Sequence, residues 1–537
     1  MSEASSSPTI SRGTLLGAIA AALAAPLLFA GYSGQIWEDY YITYRSSRNL
    51  ADGHGLVYQI GEAVHTFTSP LGVLLPALGY KLTGGDTAAL WFFRIVSAVA
   101  LAVAAALIGR HAREQGWSRA ACWFALCLGV FEAKIVACSS NGMETALLLL
   151  FTALTWHQLT RAGGPRWLWL ALGYGGLMWT RPDGCLPAAA MTFAWWLFGP
   201  RRLTPDERTW WRHLARALLL GGMLYLPWFL WAWHFYGSPV PQTIIAKSAL
   251  TPGGLSFSRI LTAPLSCLVD NTALDGLFLP IYSNIGWPVN LLLVGRLLAR
   301  LAAFLWVLPV LPRPTRAASL AVLIGGIYFN QIMPYPWYFA PWTLLAALAL
   351  TGGAWALGPR LGVRGRAAGR IGAGILAGGA LLLTAAQAYS ARQQQEIIEN
   401  GGRKQIGLWL REHAAPGDNV FLEPIGYIGY FSQLKILDFP GLCAPEVSRI
   451  VRSGTGGYAR IITTLNPVWL VLRPYEIANQ NLQNSGLLNA YDAVKIFDQL
   501  PTVEACSFLP GRNWLEFDSQ FIVYHRRNKP VAGAPAR

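Results

Sequence analysis

Long apolar stretches alternate with short polar segments over the first 390 residues of the chain. The first stretch, residues 13–37, has no charged side chain over 25 positions, which is long enough to cross the roughly 30 Å hydrocarbon layer as a helix. We interpret it as the first membrane anchor. A cleaved signal peptide is the alternative, and it would leave the orientation of the later spans unchanged. Ten further spans are predicted at residues 87–108, 119–138, 143–159, 167–180, 186–198, 215–235, 290–311, 317–333, 337–357 and 371–389.

One apolar stretch, residues 70–82, is too short to be a span. It has thirteen residues and begins with a proline, whereas a transmembrane helix needs about 20 residues. We therefore expect a juxtamembrane helix in the first outer loop. If this segment crossed the membrane, every later loop would change sides.

The basic residues between the spans set the orientation. With Arg12 inside, eleven spans put five later clusters on the cytoplasmic side, as the positive-inside rule requires. The clusters are Arg110, Arg113 and Arg119; Arg161 and Arg166; Arg201, Arg202, Arg208 and Arg212; Arg313 and Arg316; and Arg360, Arg364, Arg366 and Arg370. The outer face then receives residues 38–83, the turns at 139–142, 181–184 and 334–336, the loop 236–289, and the tail.

The tail after residue 391 has a different pattern. Residues 396–413 have helical spacing, residues 419–422 and 469–472 are short apolar runs, and Gly and Pro separate these segments. We predict a transmembrane domain over residues 1–390 and a soluble α/β domain over residues 391–537. The fold class is thus a polytopic α-helical membrane protein of about eleven transmembrane helices with a C-terminal α/β domain.

Composition agrees with a membrane protein. Of the 537 residues, 53% are hydrophobic and 13% are charged, about half the charged fraction of a soluble domain. The net charge of +15 lies in short clusters between apolar stretches, so we read it as a topology signal and expect no nucleic-acid partner. The seven cysteines form no metal-binding pattern. Cys443 and Cys506 could form a disulfide in an exported tail or remain buried thiols.

Two adjacent carboxylates, Glu38 and Asp39, follow the first span. Acids at the start of a helix stabilise it by a few tenths to about one kcal/mol, so capping is a sufficient structural explanation. The functional alternative is a general base, because a hydroxyl that attacks an anomeric carbon must lose its proton to a nearby acceptor.

The acidic pair opens a series of motifs that resembles a known superfamily. After it comes Tyr-Arg-x-x-Arg-Asn-Leu-Ala-Asp-Gly-His-Gly-Leu-Val-Tyr, ending at Tyr58. The others are Thr-Ser-Pro-Leu at 68–71, Gly-Met-Glu-Thr at 142–145, Thr-Arg-Pro-Asp-Gly at 180–184, Phe-Tyr-Gly-Ser-Pro-Val-Pro-Gln-Thr at 235–243, Ala-Lys-Ser at 246–248 and Tyr-Pro-Trp-Tyr at 335–338. In order and spacing this set resembles the GT-C glycosyltransferases, and most closely the arabinofuranosyltransferases of mycobacterial cell walls.

The resemblance implies an activity and a location. The protein is expected to be a glycosyltransferase of the bacterial inner membrane, multi-pass, with its active site and tail on the periplasmic side. It would move a sugar, with arabinofuranose as the candidate, from a polyprenyl-phosphate donor to a glycan, lipid or protein acceptor of the cell envelope. Asp39 matches the catalytic base, and Glu38 replaces the first acid of the usual Asp-Asp pair. Glu38 would therefore orient the acceptor or share the role of base.

Cations on the outer face would stabilise the phosphate as it leaves. The candidates are Lys247, Arg181 and Arg45. Each has a structural alternative, namely snorkelling of Lys247 to headgroups, an ion pair between Arg181 and Asp183, and a solvated helix face for Arg45. Lys247 has the strongest case because it lies in the matched Ala-Lys-Ser motif.

Further polar side chains on the outer segments could contact the sugar or the acceptor. They are His54, His65, Glu144, Asp183, Gln242 and Tyr338. A lone histidine is more often structural, and the resembling enzymes often carry an acid near the position of His65. We predict no cofactor and no metal ligands, although the carboxylates leave a divalent metal possible.

Two other function classes compete with the enzyme. A transporter or flippase for lipid-linked sugars should place its polar residues near the middle of the spans, whereas here they gather at one face. A scaffold for the exported domain would leave the ordered motifs unexplained. No nucleophile elbow, metalloprotease motif or dinucleotide fingerprint occurs in a meaningful context.

Overall fold

The computed structural model describes residues 10–199, 205–250, 256–269, 273–282, 285–455 and 457–527. The predicted cytoplasmic residues Arg201 and Arg202, and the side chain of Arg208, lie outside the described part of the chain. Two compact units are present. The first comprises residues 1–32, 93–227 and 255–389, and the second comprises residues 33–92, 228–254 and 390–537.

Helices account for most of the described chain before the tail. They are α1 (Arg12–Ser33), α2 (Glu38–Ala51), α3 (Pro70–Thr83), α4 (Asp86–Glu114), α5 (Arg119–Gly129), α6 (Ala133–Ser140), α7 (Thr145–Thr160), α8 (Trp167–Thr180), α9 (Cys185–Phe198), α10 (Pro205–Tyr236), α11 (Gln242–Ala249), α12 (Phe257–Val269), α13 (Val289–Phe304), α14 (Arg313–Phe329), α15 (Ala340–Leu357) and α16 (Val363–Gln393). Each of the eleven predicted spans thus overlaps a helix, and the predicted juxtamembrane segment is helix α3.

Six helical segments of the described chain are long and apolar enough to cross a bilayer. They are Arg12–Ser33, Asp86–Glu114, Thr209–Tyr236, Val289–Val307, Pro336–Arg360 and Val363–His413. The helices α7, α8, α9 and α14 have only 14 to 17 residues, which is shorter than a perpendicular span requires. The count of eleven transmembrane helices therefore stays a prediction, while the polytopic helical architecture is confirmed.

The third predicted span is broken. Its two halves, α5 and α6, are bent by 58°. The break contains Glu132, whose side chain accepts a hydrogen bond from Ile135 N at 2.9 Å and so begins a new helix. Lys134, on the next turn, is buried and donates to the carbonyl of Gly276. A charged residue inside an apolar stretch has thus produced a capped kink.

The tail forms an α/β layer structure. After a π-helical segment at Gln394–Arg403, its elements are α17 (Lys404–His413), β1 (Asn419–Leu422), α18 (Tyr427–Ser432), β2 (Lys435–Asp438), α19 (Pro445–Ile450), α20 (Tyr458–Leu465), β3 (Trp469–Leu472), α21 (Pro474–Asn479), β4 (Tyr491–Asp498), α22 (Leu500–Glu504), α23 (Arg512–Phe517) and β5 (Gln520–Arg526). The sheet order is β2-β1-β3-β5-β4. Strands β2, β1 and β3 are parallel, and β5 and β4 join them in antiparallel pairs.

Both faces of the inner strands β1 and β3 are buried, and alternate residues of a strand enter different cores. On β1, Val420 and Leu422 lie in one core, and Phe421 lies in the other. The first core also contains Ile42 of α2 and Tyr58. The second unit therefore builds part of the first outer loop into the core of the tail, and it is larger than the predicted 391–537 domain. The thiols of Cys443 and Cys506 are both free.

Candidate active site

The acidic pair occupies the first turn of α2. Trp37 precedes the helix in extended conformation, with φ −70° and ψ 147°, and Glu38 and Asp39 follow it. The unpaired N–H groups of a helix N-terminus favour negative charge at this position. Both side chains are partly buried. The pair thus has the geometry of a helix start, and it also presents two carboxyl groups next to one another.

Glu38 contacts the loop after β1. The backbone N–H of Gly426 donates a hydrogen bond to its carboxyl group. A Cβ atom on Gly426 would lie 2.7 Å from Glu38 Oε1 and closer still to the carbonyl oxygen of Glu38. Only glycine permits this approach, so the carboxyl of Glu38 is positioned by the tail domain.

The surroundings of Glu38 favour its neutral form. Burial, together with the nearby charges of Asp39 and Glu399, raises the pKa of Glu38 to about 8. Arg403 and the N–H of Gly426 act in the opposite direction but do not outweigh burial. At neutral pH Glu38 is therefore mainly protonated and can donate a hydrogen bond.

A buried ion network lies behind the acidic pair. Arg403 contacts Glu399 at 2.9 Å and Asp518 at 2.6 Å, while Arg473 contacts Asp518 at 2.6 Å and Glu476 at 3.1 Å. Burial alone would raise the pKa of Asp518, but the two arginines hold it below its usual value. We call Arg403, Glu399, Asp518, Arg473 and Glu476 the Arg403 network. Sequence analysis missed all five residues.

Arg45 and His54 do not share a role with the acidic pair. Arg45 is buried and donates to the carbonyls of Gly429 at 3.0 Å and Leu434 at 3.2 Å. Its guanidinium lies 4.5 Å above the ring of Tyr58. These contacts fasten α2 to the tail domain and engage Nη1 and Nη2, two donors expected for a phosphate, and the solvated helix face expected as the alternative is wrong because Arg45 is buried. His54 is exposed in the turn after α2.

His65 and Gln242 are neighbours. The ring of His65 stacks on Tyr236 at 4.5 Å between centroids, and burial lowers the pKa of His65 to about 4. Gln242 donates its backbone N–H to the carbonyl of His65 at 2.8 Å. Its side chain donates to Gly441 O at 3.0 Å and to Ser448 Oγ at 2.8 Å. Both residues therefore hold the loop at 236–249 against the tail domain.

Lys247 lies in the last turn of α11. Arg452 of the tail donates to Ile245 O at 2.9 Å, which anchors this helix. Lys247 is partly buried, and a cation at a helix C-terminus is electrostatically favourable.

A second group of predicted residues occurs in the first unit. Arg181 follows α8, is buried, and contacts Glu144 and Asp183, each at 2.9 Å. Its guanidinium lies 4.3 Å from the ring centre of Tyr338. Glu144 begins α7 after Gly142, whose φ of +98° suits glycine. We call Glu144, Arg181, Asp183 and Tyr338 the Arg181 cluster. The ion pair expected as the structural alternative for Arg181 is present, and a second carboxylate strengthens it.

The predicted site residues thus fall into two sets. The second unit holds Glu38, Asp39, Arg45, His54, His65, Gln242 and Lys247, and the first unit holds the Arg181 cluster. Within the described parts of the chain, no group of three His, Cys, Asp or Glu side chains is arranged to hold a metal ion.

Solved structures similar to this chain include those of ArnT and AftD. The crystal structure of ArnT from Cupriavidus metallidurans bound to undecaprenyl phosphate aligns over 98% of this chain and 100% of its own, with 13% identity and a TM-score of 0.55. Its apo form aligns over 95% and 98%, with 12% identity and a TM-score of 0.49. The cryo-EM structure of the arabinofuranosyltransferase AftD from Mycobacteria aligns over 97% of this chain but only 40% of its own, with 14% identity and a TM-score of 0.43.

Sequence comparison adds one match. A domain of unknown function, DUF8728, matches residues 387–521, which cover most of the tail domain. The sequence matches no curated protein. At these identities the likeness to ArnT concerns the fold, and it extends over the whole of both chains. The polytopic helical fold with an α/β tail, expected from the motifs, is therefore confirmed, and it is similar to the fold of ArnT.

Proposed function

We propose that the protein is a glycosyltransferase that moves a sugar from a polyprenyl-phosphate donor to an acceptor outside the cytoplasm, with Asp39 as the general base. The observation that carries this proposal is the acidic pair at the start of α2, which the tail domain holds in a partly buried position. The ArnT structure with the same fold contains undecaprenyl phosphate, which supports a donor of that class.

The surroundings of Glu38 support a role for it other than that of the base. Glu38 accepts the N–H of Gly426, and its raised pKa keeps it mainly protonated, so it is a poor base at neutral pH. Such a carboxyl can instead donate a hydrogen bond to the acceptor oxygen and orient it. Asp39, its neighbour in the same helical turn, matches the base position and takes the proton.

The reaction follows from these roles. The acceptor hydroxyl gives its proton to Asp39 while its oxygen forms a bond to the anomeric carbon. The bond between that carbon and the phosphate oxygen breaks, and the electron pair leaves with the polyprenyl phosphate. Lys247 stabilises the added negative charge on the phosphate. Attack opposite the leaving group inverts the anomeric carbon.

The proposal also assigns the acidic pair and the tail domain to one side of the membrane. The basic clusters support a location of the acidic pair and the tail domain on the outer side of a bacterial cytoplasmic membrane. There the acceptor would be a glycan, lipid or protein of the cell envelope. The sugar, for which arabinofuranose is the first candidate, is decided by the donor.

The test uses purified protein in lipid nanodiscs with a panel of polyprenyl-phosphate sugars. We expect donor-dependent product from the wild type and a loss of turnover of about 100-fold or more for Asp39→Asn, the usual contribution of a general base. Donor binding should be retained in this variant. Glu38→Gln keeps a hydrogen-bond donor and should lose less activity.

Control variants test the role of Lys247 and the role of Asp39 separately. Lys247→Gln should weaken donor binding, whereas Lys81→Gln, which removes a charge from the end of α3, should not. Full activity of Asp39→Asn would refute the base assignment. No turnover with any donor, together with movement of lipid-linked sugar across a bilayer, would favour a flippase instead.

A further inference from the structure

The first unit contains a cavity that the proposed reaction does not use. Its volume is about 410 Å³, and it lies between the ends of α4, α7 and α15 and the starts of α5 and α14. Three tryptophans, Trp117, Trp156 and Trp355, form its aromatic walls, and Pro312 and Pro359 complete them. This volume is within the range of small-ligand sites.

The cavity is far from the Arg181 cluster within the same unit. Glu144 precedes α7, and Trp156 lies twelve positions later, which is about 18 Å along a helix. Tyr338 precedes α15, and Trp355 lies near the end of that helix. Two helices therefore place the cavity and the Arg181 cluster at opposite ends.

The polar groups of the cavity select for an anion. The indole N–H of Trp156 is fully buried and has no hydrogen-bond partner among the residues that the structure describes. Arg360 lies exposed at the rim, where it donates to Ala356 O at 2.5 Å and keeps other N–H groups open. None of the described lining residues is acidic.

The position of the cavity relative to the membrane indicates which kind of anion it would bind. The cavity lies at the helix ends that carry the clusters around Arg113, Arg313 and Arg360, and the positive-inside rule assigns these ends to the cytoplasmic face. The lipid leaflet on that face is rich in anionic headgroups, and basic pockets between helices bind them. Tryptophan also favours the headgroup level of a bilayer.

We propose that this cavity binds the phosphate headgroup of an anionic phospholipid from the cytoplasmic leaflet. Trp156 Nε1 and Arg360 donate to the phosphate oxygens. The tryptophan and proline walls contact the glycerol and the first carbons of the chains, while the rest of the lipid remains in the bilayer. The site is independent of the transfer reaction and of its outer face.

Native mass spectrometry of the full chain in detergent tests the proposal. Phosphatidylglycerol and phosphatidylcholine with identical chains are titrated separately, and glycerol 3-phosphate distinguishes a lipid from a free phosphate. We expect one tightly bound phosphatidylglycerol and at least about fivefold weaker phosphatidylcholine, since one arginine near an anionic headgroup contributes about that factor. Glycerol 3-phosphate should not compete.

Variants locate the binding. Arg360→Gln should weaken phosphatidylglycerol about fivefold, and the matched exposed change Arg166→Gln should leave it unchanged. Trp156→Phe keeps an aromatic wall but removes the N–H, so we expect about tenfold weaker binding. Equal binding of the two lipids, equal effects of Arg360→Gln and Arg166→Gln, or competition by glycerol 3-phosphate would overturn the proposal. Arg360 is exposed, so its test holds even if Trp156→Phe fails to fold.

Discussion

Arg181 in the first unit and Arg403 in the second are both buried arginines with two carboxylate partners, but their partners differ in exposure. The partners of Arg181 are Glu144, whose side chain is 9% exposed, and Asp183, at 26%. Those of Arg403 are Glu399, at 0%, and Asp518, at 6%, and Asp518 is shared with Arg473. The Arg181 group thus reaches water through Asp183, whereas Arg403 and its two partners are sealed, and only Arg473 extends the network to an exposed carboxylate, Glu423, at 2.9 Å.

This difference decides what each arginine can do. In the sealed network every charge must be balanced inside the protein, because water cannot screen an excess. Glu38 lies beside this network, and burial is the main cause of its raised pKa, which Asp39 and Glu399 support and Arg403 opposes. In the Arg181 cluster, Asp183 can exchange its partner for water. The Arg181 cluster can therefore adapt to a charged ligand, whereas the Arg403 network fixes the tail domain.

The largest expected effect comes from removing the sealed arginine. Arg403→Met leaves the buried Glu399 without its arginine, while Asp518 keeps Arg473, so it should lower the free energy of unfolding by about 3–5 kcal/mol. Arg181→Met should cost only about 1–3 kcal/mol, because water can reach Asp183. Thermal unfolding of both variants in the same detergent measures the difference.

A matched exposed pair serves as the control. Arg392 contacts Glu396 at 2.9 Å, with side chains 45% and 53% exposed. Arg392→Met should therefore shift the melting temperature very little. If Arg181→Met destabilises as much as Arg403→Met, exposure is not what distinguishes the two groups.

Glu38 gives the next largest effect, as a dependence on pH. Its pKa is about 8 in the folded chain and 4.5 when unperturbed, so folding takes up a proton between these values. Its contribution to stability is complete below pH 4.5 and is lost as the pH rises through 8. Between pH 6 and pH 8 the loss should be about 2 kcal/mol.

Glu38→Gln removes this titration. Melting temperatures measured from pH 5 to pH 9 should fall less steeply with pH for Glu38→Gln than for the wild type. The exposed control Glu396→Gln should follow the wild type. Parallel curves for Glu38→Gln and the wild type would mean that Glu38 is ionised in the folded protein.

The difference between local and long-range contacts explains which features the sequence could predict. Some features depend on residues that lie close together in the sequence, so their spacing reveals them. These are the helical segments, the outer-face motifs and the pair of Arg181 with Asp183. The apolar runs at 419–422 and 469–472 became β1 and β3. Strand β4 was missed because most of its side chains are exposed on both faces, which removes the alternation of a half-buried strand.

The sealed network could not be predicted in this way. Asp518 meets Arg403 across 115 positions, and no periodicity connects them. The spacing of Glu399 and Arg403, four residues apart in a predicted helix, was the available signal. The approach of Gly426 to Glu38 spans 388 positions and depends on the folding of residues 33–92 together with the tail domain.

The smallest expected effect concerns one carboxylate of the Arg181 cluster, Asp183, compared with Asp518 beside Arg403. Asp183→Asn leaves Arg181 with Glu144 and the ring of Tyr338, and the lost pair is partly screened by water, so the cost should be about 0.5–1 kcal/mol. Asp518→Asn in the sealed network leaves two arginines short of a partner and should cost about 3–5 kcal/mol. Thermal unfolding in low and high salt distinguishes the two, because salt should reduce only the effect of Asp183→Asn. Equal costs, or equal sensitivity to salt, would mean that the Arg181 cluster is sealed as well and that its arginine has no freedom to meet a charged ligand.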